Sequence, residues 1–82
     1  MLDSGVDAVH PELTVAESVE TCGESVDFPG SHGTHVAGSI ASQDTIFRGL
    51  APGVRLLNVK VLRTNGTGRH TYITRGIDEA LD

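Results

Sequence analysis

Val54-Arg55-Leu56-Leu57-Asn58-Val59-Lys60-Val61-Leu62 is the stretch on which the fold turns. At period two, Leu57, Val59 and Val61 share one face, and Leu56, Asn58, Lys60 and Leu62 share the other. A strand with one wet face alternates cleanly between apolar and polar. This one is apolar almost throughout, which fits a strand covered on both sides within a parallel sheet. Parallel neighbours are joined by crossovers, usually helical, so helices are expected before and after it.

Both are legible. Downstream, Asn65-Gly66-Thr67-Gly68 has turn chemistry, and from Arg69 to Leu81 the residues Ile73, Ile77, Ala80 and Leu81 recur at helical spacing. Upstream, residues 43–53 form a loop closed by the turn dipeptide Pro52-Gly53. Before it, His32 to Ser42 reads as a helix, with Ser31 expected as its N-cap. Gly33, Ala37 and Ala41 fall at i, i+4 and i+8, a face with almost no side-chain bulk, and Val36 and Ile40 make an apolar row beside it. Such a face lets another backbone approach, so deep burial is expected. Gly38, inside the helix, costs about 1 kcal/mol against alanine and is read as a concession to close packing.

The first third is less regular. Met1-Leu2 reads as the end of a strand whose beginning lies upstream, followed by a turn at Asp3-Ser4-Gly5. His10-Pro11 ends any helix, Leu13 to Val19 has a weak period-two pattern, and Thr21 to Ser31 is loop. Loop, helix, loop, strand, turn, helix is the order of an α/β fold with a parallel sheet and crossover helices.

Composition narrows the class. A chain of 82 residues buries only roughly 60% of its unfolded surface, and three aromatic residues with no Trp leave the core lean. The single cysteine, Cys22, precludes an internal disulfide and reads as a plain free thiol; no Cys/His grouping has zinc-site spacing. The net charge of −5 divides into −7 over residues 1–31 and +2 over residues 32–82. That lacks the basic footprint of a nucleic-acid binder. No apolar run reaches the ~18 residues of a membrane span, and no basic-then-apolar leader opens the chain. No nucleic-acid or membrane partner is expected.

Two segments carry candidate chemistry. Asp3 closes a strand in a turn tightened by Gly5, and open α/β sheets bind ligands at the C-terminal ends of their strands; taken alone, Asp3 also fits a simple turn cap. His32-Gly33-Thr34-His35 opens a helix. A helix N-terminus disfavours an imidazolium, and a neutral imidazole is what a general base needs; taken alone, a solvent-facing histidine fits as well. His32 and His35 at i, i+3 raise a metal-binding alternative, but no third ligand is near in sequence, and no metal is assigned.

Together the segments are far more specific. Asp3-Ser4-Gly5 followed at a 29-residue interval by His32-Gly33-Thr34-His35-Val36-Ala37-Gly38 resembles the subtilisin-like serine proteases (subtilases, peptidase S8). Gly5-Val6-Asp7, His10-Pro11-Glu12-Leu13, Gly49-Leu50-Ala51-Pro52, Leu57 to Leu62, Asn65 to Gly68 and Gly76 to Ala80 resemble successive family segments in order, so the likeness covers residues 1–82, weakest over Thr14 to Gly30. The resemblance implies that residues 1–82 are part of a peptidase catalytic domain with the family's three-layer fold. It implies that His32 is the general base and Asp3 its orienting carboxylate, and that Gly66, Thr67 and Gly68 form an edge that pairs with a peptide substrate. By spacing alone those glycines also fit an ordinary turn.

No Gly-Thr-Ser-Met-Ala-like segment is present, and neither Asn58 nor Asn65 stands in the family's oxyanion-hole context. The triad serine, the oxyanion Asn and the upstream strand are therefore expected outside this sequence, the chain alone is expected to be inactive, and the rest of the catalytic domain is a required partner beside the peptide or protein substrate. A truncated or degenerate protein that keeps these elements as a binding module is the alternative. The family's calcium site would draw on Glu12 and the loop Gln43 to Arg48, whose one carboxylate is Asp44; six to eight oxygens cannot be assembled, so no cofactor is assigned. The family is mostly secreted, which would imply an extracellular setting.

Overall fold

The stretch at 54–62 lies at the middle of the sheet. In the computed structural model, which describes residues 1–81, the elements run β1 (Leu2–Asp3), β2 (Thr14–Glu20), α1 (Ser31–Ala41), β3 (Arg55–Lys60) and α2 (His70–Leu81). The sheet order is β1-β3-β2, and both pairings are parallel. β1 is held by Val59 N–H donating to Met1 O at 2.9 Å and Val61 N–H donating to Asp3 O at 2.9 Å.

β3 is covered on both faces, as its composition requires. On one side Leu56 joins Val6, Leu13, Ala37 and Ala41 in a buried cluster, with Met1, Val15 and Ile40 packed against it. This is where α1 presents Gly33, Ala37 and Ala41, all buried. On the other side Val59 and Val61 lie beneath α2 at Gly76. A methyl group there would overlap Val61 Cγ1 and lie 3.2 Å from Val59 Cγ1 and 3.4 Å from Leu2 Cδ2. Removing Val59 fully from water stabilises this contact by about 1.5–3 kcal/mol. Helix, parallel sheet and helix thus form three layers, the expected α/β arrangement. No helix among the described residues is long and apolar enough to cross a membrane.

Several local readings need correction. Ser31 is not the N-cap; it is the first residue of α1, and Gly30 takes the cap position at φ −85° and ψ 145° with no side-chain cap bond. Gly33 N–H is instead satisfied from a distance, donating to Ser4 Oγ at 3.1 Å. β3 is shorter than 54–62 because Val54 N–H is used in the preceding turn, donating to Ala51 O, while Val61 and Leu62 both donate to Asp3 O, where β1 ends.

The weak alternation of β2 also has a cause. The register shifts between Val15 and Glu17, so Val15 pairs with Leu56 whereas Val19 pairs with Val59. The bulge at Ala16 therefore moves Val19 to the opposite face. Gly38 is not closely packed, since nothing lies within 4 Å of a methyl group placed on it. The row Ile73, Ile77 and Leu81 is exposed, and the only buried residue in α2 is Gly76.

Candidate active site

The site begins where β1 stops. After Asp3 the chain turns through Ser4 and Gly5, both buried, with Gly5 at φ 98°, a left-handed conformation open to glycine. α1 then approaches this turn as closely as backbone allows. A methyl group on Gly30 would overlap the Ser4 side chain, and one on Gly33 would overlap Gly5 O and lie 3.0 Å from Gly5 C. Gly30 N–H donates to Ser4 O at 2.9 Å. Two glycines bracketing Ser31-His32 thus seat the helix N-terminus on the turn and bring His32 to Asp3.

The result is a contact of 2.9 Å between His32 Nδ1 and Asp3 Oδ1. The Asp3 side chain is mostly covered, at 13% exposure, while that of His32 is 73% exposed. Burial alone would push the Asp3 carboxyl up. Bonds from the His32 ring, the Ser4 amide (2.6 Å) and the Ser4 hydroxyl outweigh it and hold the carboxyl below its ordinary value. An ionised carboxylate only accepts hydrogen bonds, so a neutral His32 must carry its proton on Nδ1. Nε2 is then left with a free lone pair on the solvent side of the ring, the arrangement needed to accept a proton from an incoming group.

His35, one turn further on, is exposed, and the ion pair of Asp3 is with His32. It lines an open cleft with His10, Glu12 and Phe47. Among the described residues no three His, Cys, Asp or Glu side chains converge as metal ligands would. The Asp44 carboxylate is occupied by the amides of Ile46 (2.7 Å) and Phe47 (3.1 Å), which hold it below its usual value.

Gly66, Thr67 and Gly68 lie elsewhere, in an exposed turn after β3. Gly66 has φ 86°. The turn is closed by Gly66 N–H donating to Arg63 O and Arg63 N–H donating to Thr67 O, both at 2.7 Å. Among the described residues no hydrogen bond joins it to Asp3 or His32. Asp3 and His32 are brought into contact.

Three side chains beneath the site were not singled out from the sequence. Lys60 is fully buried, and its ammonium donates to Ser4 O at 2.7 Å and Thr64 Oγ1 at 3.4 Å and pairs with Glu24 Oε1 at 3.0 Å. Glu24 is drawn down to about 2 by hydrogen bonds from the Thr64 hydroxyl, Lys60 and the Thr64 amide. Ser4 completes the group. The signal that could have found them is Asn58 and Lys60 on an otherwise apolar, covered strand. Buried polar groups need partners, and Asn58 has them in Val6 N–H (3.2 Å) and Ser18 Oγ (3.1 Å).

Known proteins resemble this chain along its whole length. The sequence profile of the Subtilase family matches residues 1–82. Subtilisin E of Bacillus subtilis (strain 168) is 40% identical over 86 residues, covering 99% of this chain and 23% of the relative. Subtilisin of Bacillus pumilus is 40% identical over 86 residues, covering 99% and 31%. The Major intracellular serine protease of Bacillus subtilis (strain 168) is 36% identical over 93 residues, covering 100% and 29%. The chain thus spans less than a third of the length of these relatives. With its parallel sheet, its two covering helices and a profile match from first residue to last, the chain belongs to the subtilase family.

Proposed function

We propose that this chain is the acid–base part of a serine endopeptidase catalytic domain, with His32 as general base and Asp3 as the carboxylate that fixes its tautomer. The observation that carries this is the 2.9 Å contact between His32 Nδ1 and Asp3 Oδ1, with Asp3 held ionised and His32 exposed on its other side. His32 Nε2 takes the proton of an attacking serine hydroxyl as that oxygen bonds to the peptide carbonyl carbon. It then returns the proton to the departing amine, and water releases the acyl group by the same steps in reverse. Asp3 stabilises the imidazolium formed in between.

Among the described residues no serine hydroxyl bonds to His32. Ser4, which follows Asp3, accepts from Gly33 N–H instead. The nucleophile is therefore assigned to a segment outside this sequence, in keeping with a chain that matches only part of each relative. Gly66, Thr67 and Gly68 are assigned to the substrate, as an exposed backbone segment beside which an extended peptide can pair. The substrate is a peptide or protein, and residues 1–82 act only with the remainder of the domain.

The test is to sequence the gene on both sides of this segment, express the whole product, and treat it with a fluorophosphonate that labels activated serines. A Gly-Thr-Ser segment, labelling and peptide hydrolysis are expected, all activity being lost with His32→Ala. A gene without such a segment, or hydrolysis that survives His32→Ala, contradicts the proposal; the former would leave a non-catalytic binding module.

A further inference from the structure

Lys60 is a costly residue for a sheet interior. Its side chain is wholly buried, and a buried ammonium loses its hydration. Replacing buried ion pairs by apolar side chains is often neutral or stabilising. The fold layers around it therefore do not by themselves call for a lysine here. What the lysine reaches is specific: its ammonium donates to Ser4 O at 2.7 Å, on the residue that follows Asp3. Its stem lies under the next residue, since a methyl group on Gly5 would stand 3.2 Å from Lys60 Cδ and 3.4 Å from Cγ.

Ser4 in turn contacts both members of the pair's surroundings. Its amide donates to Asp3 Oδ1 at 2.6 Å, and its hydroxyl oxygen accepts from Gly33 N–H, beside His32, at 3.1 Å. The ammonium is itself held from the far side. Glu24 Oε1 lies 3.0 Å from it and is fixed by the amide and hydroxyl of Thr64, each at 2.6 Å. Thr64 Oγ1 also lies 2.7 Å from Phe28 O. The loop carrying Glu24, the end of β3 and the Asp3 turn thus meet at one buried charge.

We propose that Lys60, with Glu24 as its counter-charge, is a positioning residue that sets the Asp3–His32 geometry through the Ser4 carbonyl. This rests on the peptidase reading above, in which that geometry is catalytic. Lys60 touches neither the substrate nor the reacting atoms; its effect passes through one peptide unit.

The test uses the whole gene product with Lys60→Met and Glu24→Gln, assayed on a chromogenic peptide and normalised to active sites titrated with a sulfonyl fluoride. The His32 Nδ1–H proton is followed by NMR. A misplacement of about 1 Å costs on the order of 100-fold in rate. Lys60→Met should therefore lower kcat by about 10- to 100-fold with KM little changed, and should shift or broaden the Nδ1–H signal. Glu24→Gln keeps the acceptor oxygen but not the charge, and should move both readouts the same way by less. Unchanged kcat and an unmoved signal in the variants overturn the proposal, whatever happens to Tm. If Lys60→Met yields no folded protein, Glu24→Gln decides by the same two readouts. Should the parent protein hydrolyse peptides without needing His32, the peptidase reading fails separately, and the Nδ1–H signal still decides whether Lys60 positions the pair.

Discussion

Replacing Gly33 by alanine should weaken the protein and its activity, while the same change at Gly38 on the same helix should strengthen it. Alanine is favoured over glycine within a helix by about 1 kcal/mol. At Gly38 nothing lies within 4 Å of the new methyl group, so about 0.5–1 kcal/mol of that gain is realised. At Gly33 the methyl group would overlap the Gly5 carbonyl oxygen and press on Gly5 N and C, each 3.0 Å away. These are backbone atoms, so either α1 or the Asp3 turn must move. Overpacking of this kind costs about 1–3 kcal/mol, and the bond from Gly33 N–H to Ser4 Oγ contributes about 1 kcal/mol more when lost. Set against the helix gain, the net loss is about 1–3 kcal/mol, which separates the two variants by about 1.5–4 kcal/mol. Urea unfolding of the whole gene product measures that gap. The same displacement should lower kcat for Gly33→Ala by about 100-fold and leave Gly38→Ala near the parent. A Gly33→Ala protein as stable and as active as Gly38→Ala would refute the claim that backbone contact between α1 and the turn builds the site.

The remaining predictions concern charge and the second histidine. Glu24 and Asp3 both have lowered carboxyl pKa values in the folded state, so the folded state binds fewer protons than the unfolded one as the pH falls. Their stabilisation is therefore complete above the ordinary carboxylate range and is lost on acidification; for Glu24 the loss runs from 4.5 down to about 2. Unfolding midpoints measured across that window should fall with pH, and should fall less steeply in Glu24→Gln. His35→Ala should retain the general base and most of the activity, because His35 is exposed and Asp3 bonds to His32.

What could be read from the sequence was carried by local periodicity. The two-faced pattern of β3, the Gly33-Ala37-Ala41 face of α1 and the helical spacing of α2 are properties of neighbours in the chain, and each element reappears in the fold, although the apolar row of α2 faces outward. The contact between Asp3 and His32, 29 positions apart, was implied only by the family resemblance of the segments around them; taken alone, each also fitted a plain structural reading. What escaped was set by distant contacts. Gly30 displaces Ser31 as N-cap because its carbonyl, not that of Ser31, accepts the first helical bond, from Thr34 N–H at 3.1 Å, and the nearby Ser4 side chain leaves room only for glycine there. The bulge at Ala16 breaks the alternation of β2 so that Val15 and Val19 serve opposite layers. Lys60 and Glu24 meet across 36 positions, and nothing in either local sequence announces the other. Gly38 shows the opposite error, since an expensive residue in a helix suggested close packing that the described residues do not supply.

The coupling of Asp3 to His32 is best tested by Asp3→Asn, which keeps the shape of the side chain and removes its charge. An amide at that position can donate to Nδ1, so the ring would hold its proton on Nε2 and could no longer accept one there. The measurement is kcat for peptide hydrolysis by the whole gene product at neutral pH. The account predicts a fall of about 10⁴-fold with KM little changed; a kcat within about tenfold of the parent, or a loss confined to KM, would contradict it.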